Sequence, residues 1–261
     1  MLIDAHCHLN DEQFADDLAQ VIMRAHDAGV SILINAATDV ESSRSAIELA
    51  ERFKSVYVVV GIHPQHAATF DDENLKAIRE LAAHRKVVGI GEIGLDYYWK
   101  ENPPRDVQER ALVAQLDLAA ELNKPVVIHD RDAHDELMAI LRRRDVQLNV
   151  PTSRGILHCF SGDLAMAREA IDLGYLISFA GNLTFKNASR LQEIAKELPL
   201  DRIVIETDAP YLSPVRGKRN ESANVVRVAQ KIAELKNVEY VVVVQATTQN
   251  SERLFGLKID K

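Results

Sequence analysis

Eight short apolar runs alternate with eight longer amphipathic ones along this chain, and that rhythm fixes the fold class. The apolar runs lie at 2–6, 31–36, 56–61, 87–91, 126–129, 155–158, 176–179 and 202–206. Between and after them, at 14–28, 40–53, 72–83, 105–122, 134–143, 164–173, 188–197 and 222–235, apolar residues recur at helical spacing. In the first of these, Phe14, Leu18, Val21, Ile22 and Ala25 share one helical face and Gly29 ends it. Nearly all-apolar strands are those covered on both faces, as in a parallel sheet wrapped by helices. Eight strand–helix units in 261 residues predict one α/β domain over 1–261, a (β/α)8 TIM-like barrel. An open doubly wound sheet is the alternative. It normally carries a Gly-rich phosphate loop after an early strand, and here the first strand runs into His6-Cys7-His8 instead. The end of the chain is ambiguous: 240–244 has strand propensity, while 247–254 reads as helix closed by Gly256.

Barrel chemistry sits where strands end. Side chains alternate across a strand, so Asp4, His6 and His8 are expected on one face, and Cys7 on the other. Further strand ends carry His63, Glu92, His129, His158 and then Glu206 and Asp208. Any one of these histidines reads as readily as a satisfied polar residue. Their joint placement on one rim predicts a metal centre. The metal ligands expected are His6, His8, Glu92, His129, His158 and Asp208, more than one catalytic ion needs. Two divalent ions (Mg, Mn or Zn) are therefore expected, bridged by Glu92, with Glu92 and Asp208 as catalytic carboxylates. Asp208 ligates one ion and takes the proton from an activated water, while Glu206, one pleat deeper, supports a ligand from behind. Cys159 is expected, like Cys7, to face away from its neighbouring histidine as a small buried hydrophobe.

The expected substrate contacts are His63, Arg131, Arg216, Lys218 and Arg219. His63 lacks a second ligand on its strand and reads as a hydrogen-bond donor. Arg131 follows His129 on the same face and reads either as a substrate contact or as an ion pair with Asp130 or Asp132. The loop holding Arg216, Lys218 and Arg219 follows the eighth strand, where barrel phosphate sites occur. Lys186 and Asn182 are weaker candidates for the same group. Tyr97, Tyr98 and Trp99 either stack on a base or pack under their loop. A net charge of −8 excludes a broad basic surface for long nucleic acid and leaves room for a local phosphate site. The longest apolar runs, 56–62 and 240–244, are too short to span a bilayer, and no signal peptide is evident. A cytoplasmic monomer without membrane association is expected.

Six blocks resemble the TatD family of metal-dependent deoxyribonucleases: Asp4-Ala5-His6-Cys7-His8-Leu9, 61–64 (Gly-Ile-His-Pro), 91–97 around Glu92, 124–131 around His129, His158-Cys159-Phe160-Ser161-Gly162, and 206–212 around Asp208. They occur in the family's order and cover nearly the whole chain; 216–221 and 247–250 extend the match. The family belongs to the amidohydrolase-like metal-dependent hydrolases. The resemblance implies a distorted barrel and the six ligands named above. It also implies an exonuclease acting from the 3′ end of single-stranded DNA or RNA, or of a short oligonucleotide. Ala5 stands where the family often has Ser or Thr, and 240–244 replaces what is usually a helix rich in Ala and Glu.

The leading expectation is therefore a hydrolase of phosphodiester bonds using metal-activated water. A second reading puts the same ligands on a carbon ester or amide, such as a D-aminoacyl-tRNA ester or a cyclic amide, since fold does not fix function. A third is a non-catalytic nucleic-acid-binding barrel.

Overall fold

All eight apolar runs are strands, and they pair in chain order. The computed structural model describes residues 1–148 and 154–259. Strands β1 (Leu2–Cys7), β2 (Val30–Ala36), β3 (Val56–Val60), β4 (Val87–Asp96), β5 (Val126–Arg131), β6 (Gly155–Leu157), β7 (Tyr175–Phe179) and β8 (Ile203–Ile205) form one parallel sheet. Each is followed by its helix: α1 (Leu18–Asp27), α2 (Val40–Arg52), α3 (Asp72–Ala82), α4 (Arg105–Glu121), α5 (His134–Leu148), α6 (Leu164–Asp172), α7 (Ser189–Glu197) and α8 (Val225–Lys236). A ninth, α9 (Tyr240–Phe255), ends the fold. This is the (β/α)8 architecture expected from the alternation. No helix among the described residues is long and apolar enough to cross a membrane.

The barrel closes at one seam, between β1 and the segment after β8. Two backbone bonds span it: His8 N–H to Ala209 O at 2.7 Å and Asp208 N–H to His6 O at 3.0 Å. Both lie at the C-terminal ends of the strands. The bonds that close the sheet thus also bring the first strand's histidines to the last strand's aspartate.

Two apolar layers hold the strands. Ile3, Ala5, Ile34, Val59, Val127, Ile156, Leu176 and Val204 form a cluster drawing on seven different strands, the packed interior of the barrel. Val58, Val60, Val126, Ile128, Leu157 and Ile177 face the other way and pack with helix residues such as Val21, Ile78, Leu116 and Ile232. Asp39 caps α2 through a reciprocal capping box with Ser42.

Three local expectations change. The first strand does not alternate cleanly. A register shift between Asp4 and Cys7 puts Ala5 with the interior cluster and Cys7 with the outer one. Asp4 leaves the histidine face and accepts bonds from Thr207 N–H (2.8 Å) and Thr207 O–H (2.7 Å). Such a bulge adds a residue to one strand and re-aims those after it. Next, Phe14 lies not in α1 but in a 3-10 turn, Glu12–Phe14, which anchors the connection by burying its ring. Lastly, 240–244 is helical. Val243, Val244, Thr247, Asn250, Ser251, Leu254 and Phe255 form the buried face of α9. The Asn250 amide donates to Leu200 O and Ile203 O, fastening α9 to the start of β8. With β1 and β8 already adjacent, the sheet has no edge for these valines, and tertiary packing overrides their propensity. Gly256 ends the helix in the left-handed conformation at φ 65°.

Candidate metal centre

The six expected ligands converge at the C-terminal mouth, and Glu92 stands at their centre. Its Oε2 lies 3.4 Å from His6 Nε2 and 3.6 Å from His8 Nε2. Its Oε1 lies 2.8 Å from His129 Nδ1, 3.1 Å from His158 Nε2 and 3.3 Å from His63 Nε2. Asp208 Oδ1 approaches the first group, at 3.5 Å from His8 Nε2 and 3.7 Å from His6 Nε2. The carboxylate therefore divides its two oxygens between two sets of imidazoles. Asp208 is turned inward by a left-handed backbone at φ 55°, an uncommon state for a residue with a Cβ. It is held there by the seam bond to His6 O and, one residue back, by Asp4's grip on Thr207.

The imidazoles are oriented from behind. His8 Nδ1 bonds Ala36 O at 3.1 Å, His158 Nδ1 bonds Glu206 Oε1 at 3.1 Å, and His129 Nε2 meets Asp96 Oδ2 at 3.3 Å. Backing a histidine with an outer oxygen is the usual construction of a metal site. Glu206 is fully buried and also takes bonds from Cys159 N–H and the Ser178 hydroxyl, the supporting role expected of it. Asp96 was not singled out from the sequence. It sits four residues after Glu92 on the same extended strand, so the period-two pattern of β4 was the available signal.

Charge in this cluster is strongly redistributed. Burial opposes ionisation of Glu92, but the surrounding His158, His63 and His6 outweigh it and hold the carboxyl well below its usual range. Asp208 is also lowered, against burial, by its bond to His8 and the charge of His158. Burial would depress His129, yet its bonds to Asp96 and Glu92 push it up to about 9. His63 goes the other way, to about 4, chiefly by burial. His63 Nδ1 accepts from Gln65 N–H at 3.1 Å. The neutral ring thus carries its proton on Nε2, which faces Glu92 Oε1 at 3.3 Å.

The donor set fits divalent cations. His8 Nδ1 is committed as donor to Ala36 O, so Nε2, 3.1 Å from His6 Nε2, is the atom that would give a lone pair to a cation once its proton leaves. His6 Nδ1 is buried without a partner. Two imidazole nitrogens in near contact, flanked by oxygens of Glu92 and Asp208, leave a shared space that a divalent ion suits.

The family model described as TatD related DNase matches residues 3–256. The chain belongs to the TatD family. It is 42% identical over 259 residues to the uncharacterised metal-dependent hydrolase YabD of Bacillus subtilis, covering 98% of this chain and all of that one. It is 35% identical to the 3′-5′ ssDNA/RNA exonuclease TatD of Shigella flexneri, covering 98% of this chain and 99% of that one. Among solved structures, the Escherichia coli TatD homologue YjjV superposes with a TM-score of 0.90 at 33% identity over 98% of both chains. The chain is accordingly a TatD-family metal-dependent hydrolase with a TIM-like barrel.

Above the cluster opens a cavity of about 1020 Å³. His63, Arg131, Trp99, Asn182 and Tyr211 line it, with Asp96 and Asp208. Arg131 forms neither of the ion pairs considered. Its guanidinium lies 4.0 Å above the Tyr98 ring and 5.5 Å from that of Trp99. Tyr97 is a packing residue, bonded to Glu109 and stacked with Arg105. Cys159 departs from expectation: β6 ends at Leu157, the backbone turns left-handed at φ 44°, and the residue joins the cavity lining, its Sγ 3.8 Å from the Asn182 amide.

The basic loop of this TatD barrel does not reach the cavity. Arg216 and Lys218 are exposed and absent from its lining, as is Lys186. Arg219 points to the barrel's flank. It pairs with Asp17 and Glu221, bonds Gln13 O, and lies 4.5 Å over the Phe14 ring, while Arg24 clasps the same two carboxylates. The sequence expectation for Arg219 is thus replaced by a clamp joining the start of α1 to the segment after β8. Arg219→Ala is expected to lower the thermal midpoint and Arg216→Ala to leave it alone, in a melting comparison. An equal loss of substrate affinity in both variants, without a melting difference, would contradict the clamp.

Proposed function

We propose that this protein is a phosphodiesterase that removes nucleotides from the 3′ end of single-stranded DNA or RNA. The observation that carries this reading is the split of Glu92 between two imidazole sets, with Asp208 on one side, under a cavity that Arg131 lines. The exonuclease name of the Shigella flexneri relative supports it. His6, His8, Asp208 and Glu92 Oε2 would hold one divalent ion; His129, His158 and Glu92 Oε1 would hold the second. Bound there, the ions supply polarisation of a phosphoryl oxygen and a lowered pKa for a coordinated water.

The chain's own groups do the rest. Asp208, kept ionised by its neighbours, receives the proton of the attacking water on the carboxylate oxygen that is not turned toward His6 and His8. His63 Nε2–H donates to a phosphate or leaving oxygen. Arg131, its plane fixed on Tyr98, offers free N–H edges to the scissile phosphate. Asp96 and Glu206 keep His129 and His158 in the required ring orientation.

The test is a 5′-labelled single-stranded oligonucleotide incubated with Mg²⁺ or Mn²⁺. A ladder shortening from the 3′ end is expected, absent in chelator and nearly absent with Asp208→Asn. No metal-dependent shortening of any oligonucleotide would contradict the reading.

A further inference from the structure

A single exposed apolar side chain is ordinary, whereas several gathered around one cavity mark a place where something binds. Among the described residues, the exposed aromatics are Tyr98, Trp99, Tyr211 and Tyr240; two of these four line the metal-centre cavity, and a third, Tyr98, packs against one of them. Trp99 is 45% exposed and Tyr211 50% exposed, and both line the cavity. Trp99 follows β4 and Tyr211 follows β8. In a closed ring of eight strands in chain order those positions are diametrically opposed. The ligand cluster lies between them.

Both rings are held in place. The Tyr211 hydroxyl donates to Asp11 Oδ2 at 3.0 Å, and its ring meets that of His8 edge-on at 6.0 Å between centroids. Trp99 packs edge-on against Tyr98 at 4.8 Å, and Tyr98 carries the Arg131 guanidinium. The charge of the cavity points the same way. Outside the ligand cluster Asp11, Asp96 and Asp130 line it, and among the described residues Arg131 is the one Arg or Lys in the lining. Such a lining grips one phosphate and repels a row of them. Affinity for a longer strand must come from groups other than its backbone.

We propose that Trp99 and Tyr211 are two base platforms that hold the unpaired bases flanking the scissile phosphate, one on each side of the metal centre. This rests on the phosphodiesterase reading and assigns its substrate: a single-stranded end with at least two unstacked bases, of any sequence. Every base has a π-face, so stacking is indifferent to sequence. A paired duplex end cannot splay its bases to opposite walls.

Trp99 is the only tryptophan in the chain, so its emission reports the platform directly. The experiment titrates the Mg²⁺-loaded protein with a hydrolysis-resistant phosphorothioate dithymidine, and with the same backbone lacking both bases. The base-bearing ligand is expected to quench Trp99 and the base-free one to leave it unquenched. Tyr211→Ala should weaken the quenching titration about tenfold, the scale of one base stack, and Tyr211→Phe should restore most of it. Binding should depend on salt with a log–log slope of about −0.7, the value for one neutralised phosphate on a single strand. Equal quenching by both ligands, no quenching by either, or an equal loss in Tyr211→Ala and Tyr211→Phe would overturn the proposal. Hydrolysis of ordinary dithymidine phosphate, run in parallel, reports on the phosphodiesterase reading separately.

Discussion

Glu92→Gln is expected to lower turnover on single-stranded DNA by about three orders of magnitude with the fold intact. The side chain keeps its volume but loses one anionic oxygen of two. The oxygens of Glu92 address His6 and His8 on one side and His129, His158 and His63 on the other, so a neutral amide disables both halves. A bound divalent ion contributes several kcal/mol to the transition state, and about 1.36 kcal/mol is a factor of ten in rate. Glu206→Gln is the graded comparison. It touches only the rear of His158, so a loss of about 10–100-fold is expected, typical of an outer partner. Steady-state rates for the two variants, with circular dichroism as the fold control, check the ordering. Near-wild-type turnover in Glu92→Gln would remove the bridging role.

Gly94→Ala is expected to have the largest effect on stability. Gly94 lies on β4 at φ 151°, opposite His129 on β5, and a Cβ there would stand 1.9 Å from the His129 carbonyl oxygen. The neighbour is backbone on a central strand and has nowhere to go. Overpacking of this kind costs about 3 kcal/mol, or about 10 °C in melting temperature for a domain of this size. The same displacement would move His129 away from Glu92 and Asp96, so activity should fall even below the transition. Thermal unfolding followed by circular dichroism gives the first effect, and the rate at 20–25 °C gives the second. A melting temperature within a degree or two of wild type would contradict the close approach.

Much of this site is written in the order of the chain. Strands that are apolar on both faces announce a barrel, and a barrel gathers its strand ends on one rim. His129, His158 and Asp208 therefore meet although they are far apart in sequence. What the sequence hides depends on local irregularity or on distant partners. Alternation predicts Asp4 beside His6, but the register shift in β1 sends Asp4 to Thr207 instead. Alternation hides Cys159, because β6 has already ended and the backbone has turned. Arg219 lies in the right loop for a phosphate, yet Asp17, more than 200 positions away, decides its direction. The valines of 240–244 have strand propensity but no strand to join, and the helical spacing of Val243, Thr247, Asn250 and Leu254 prevails. Asp96 was legible in principle: it shares a face with Glu92, and its meaning appears only once β4 is known to run past Glu92.

The central claim is that one carboxylate joins two cation sites in a single mouth. The most direct measurement is the number of divalent ions bound per chain, by isothermal titration with Mn²⁺ or Zn²⁺ and elemental analysis of the dialysed complex. Two ions per chain are predicted for wild type, with both affinities weakened together in Glu92→Gln. Binding of no ion, or of one ion whose affinity is indifferent to Glu92→Gln, would contradict the account.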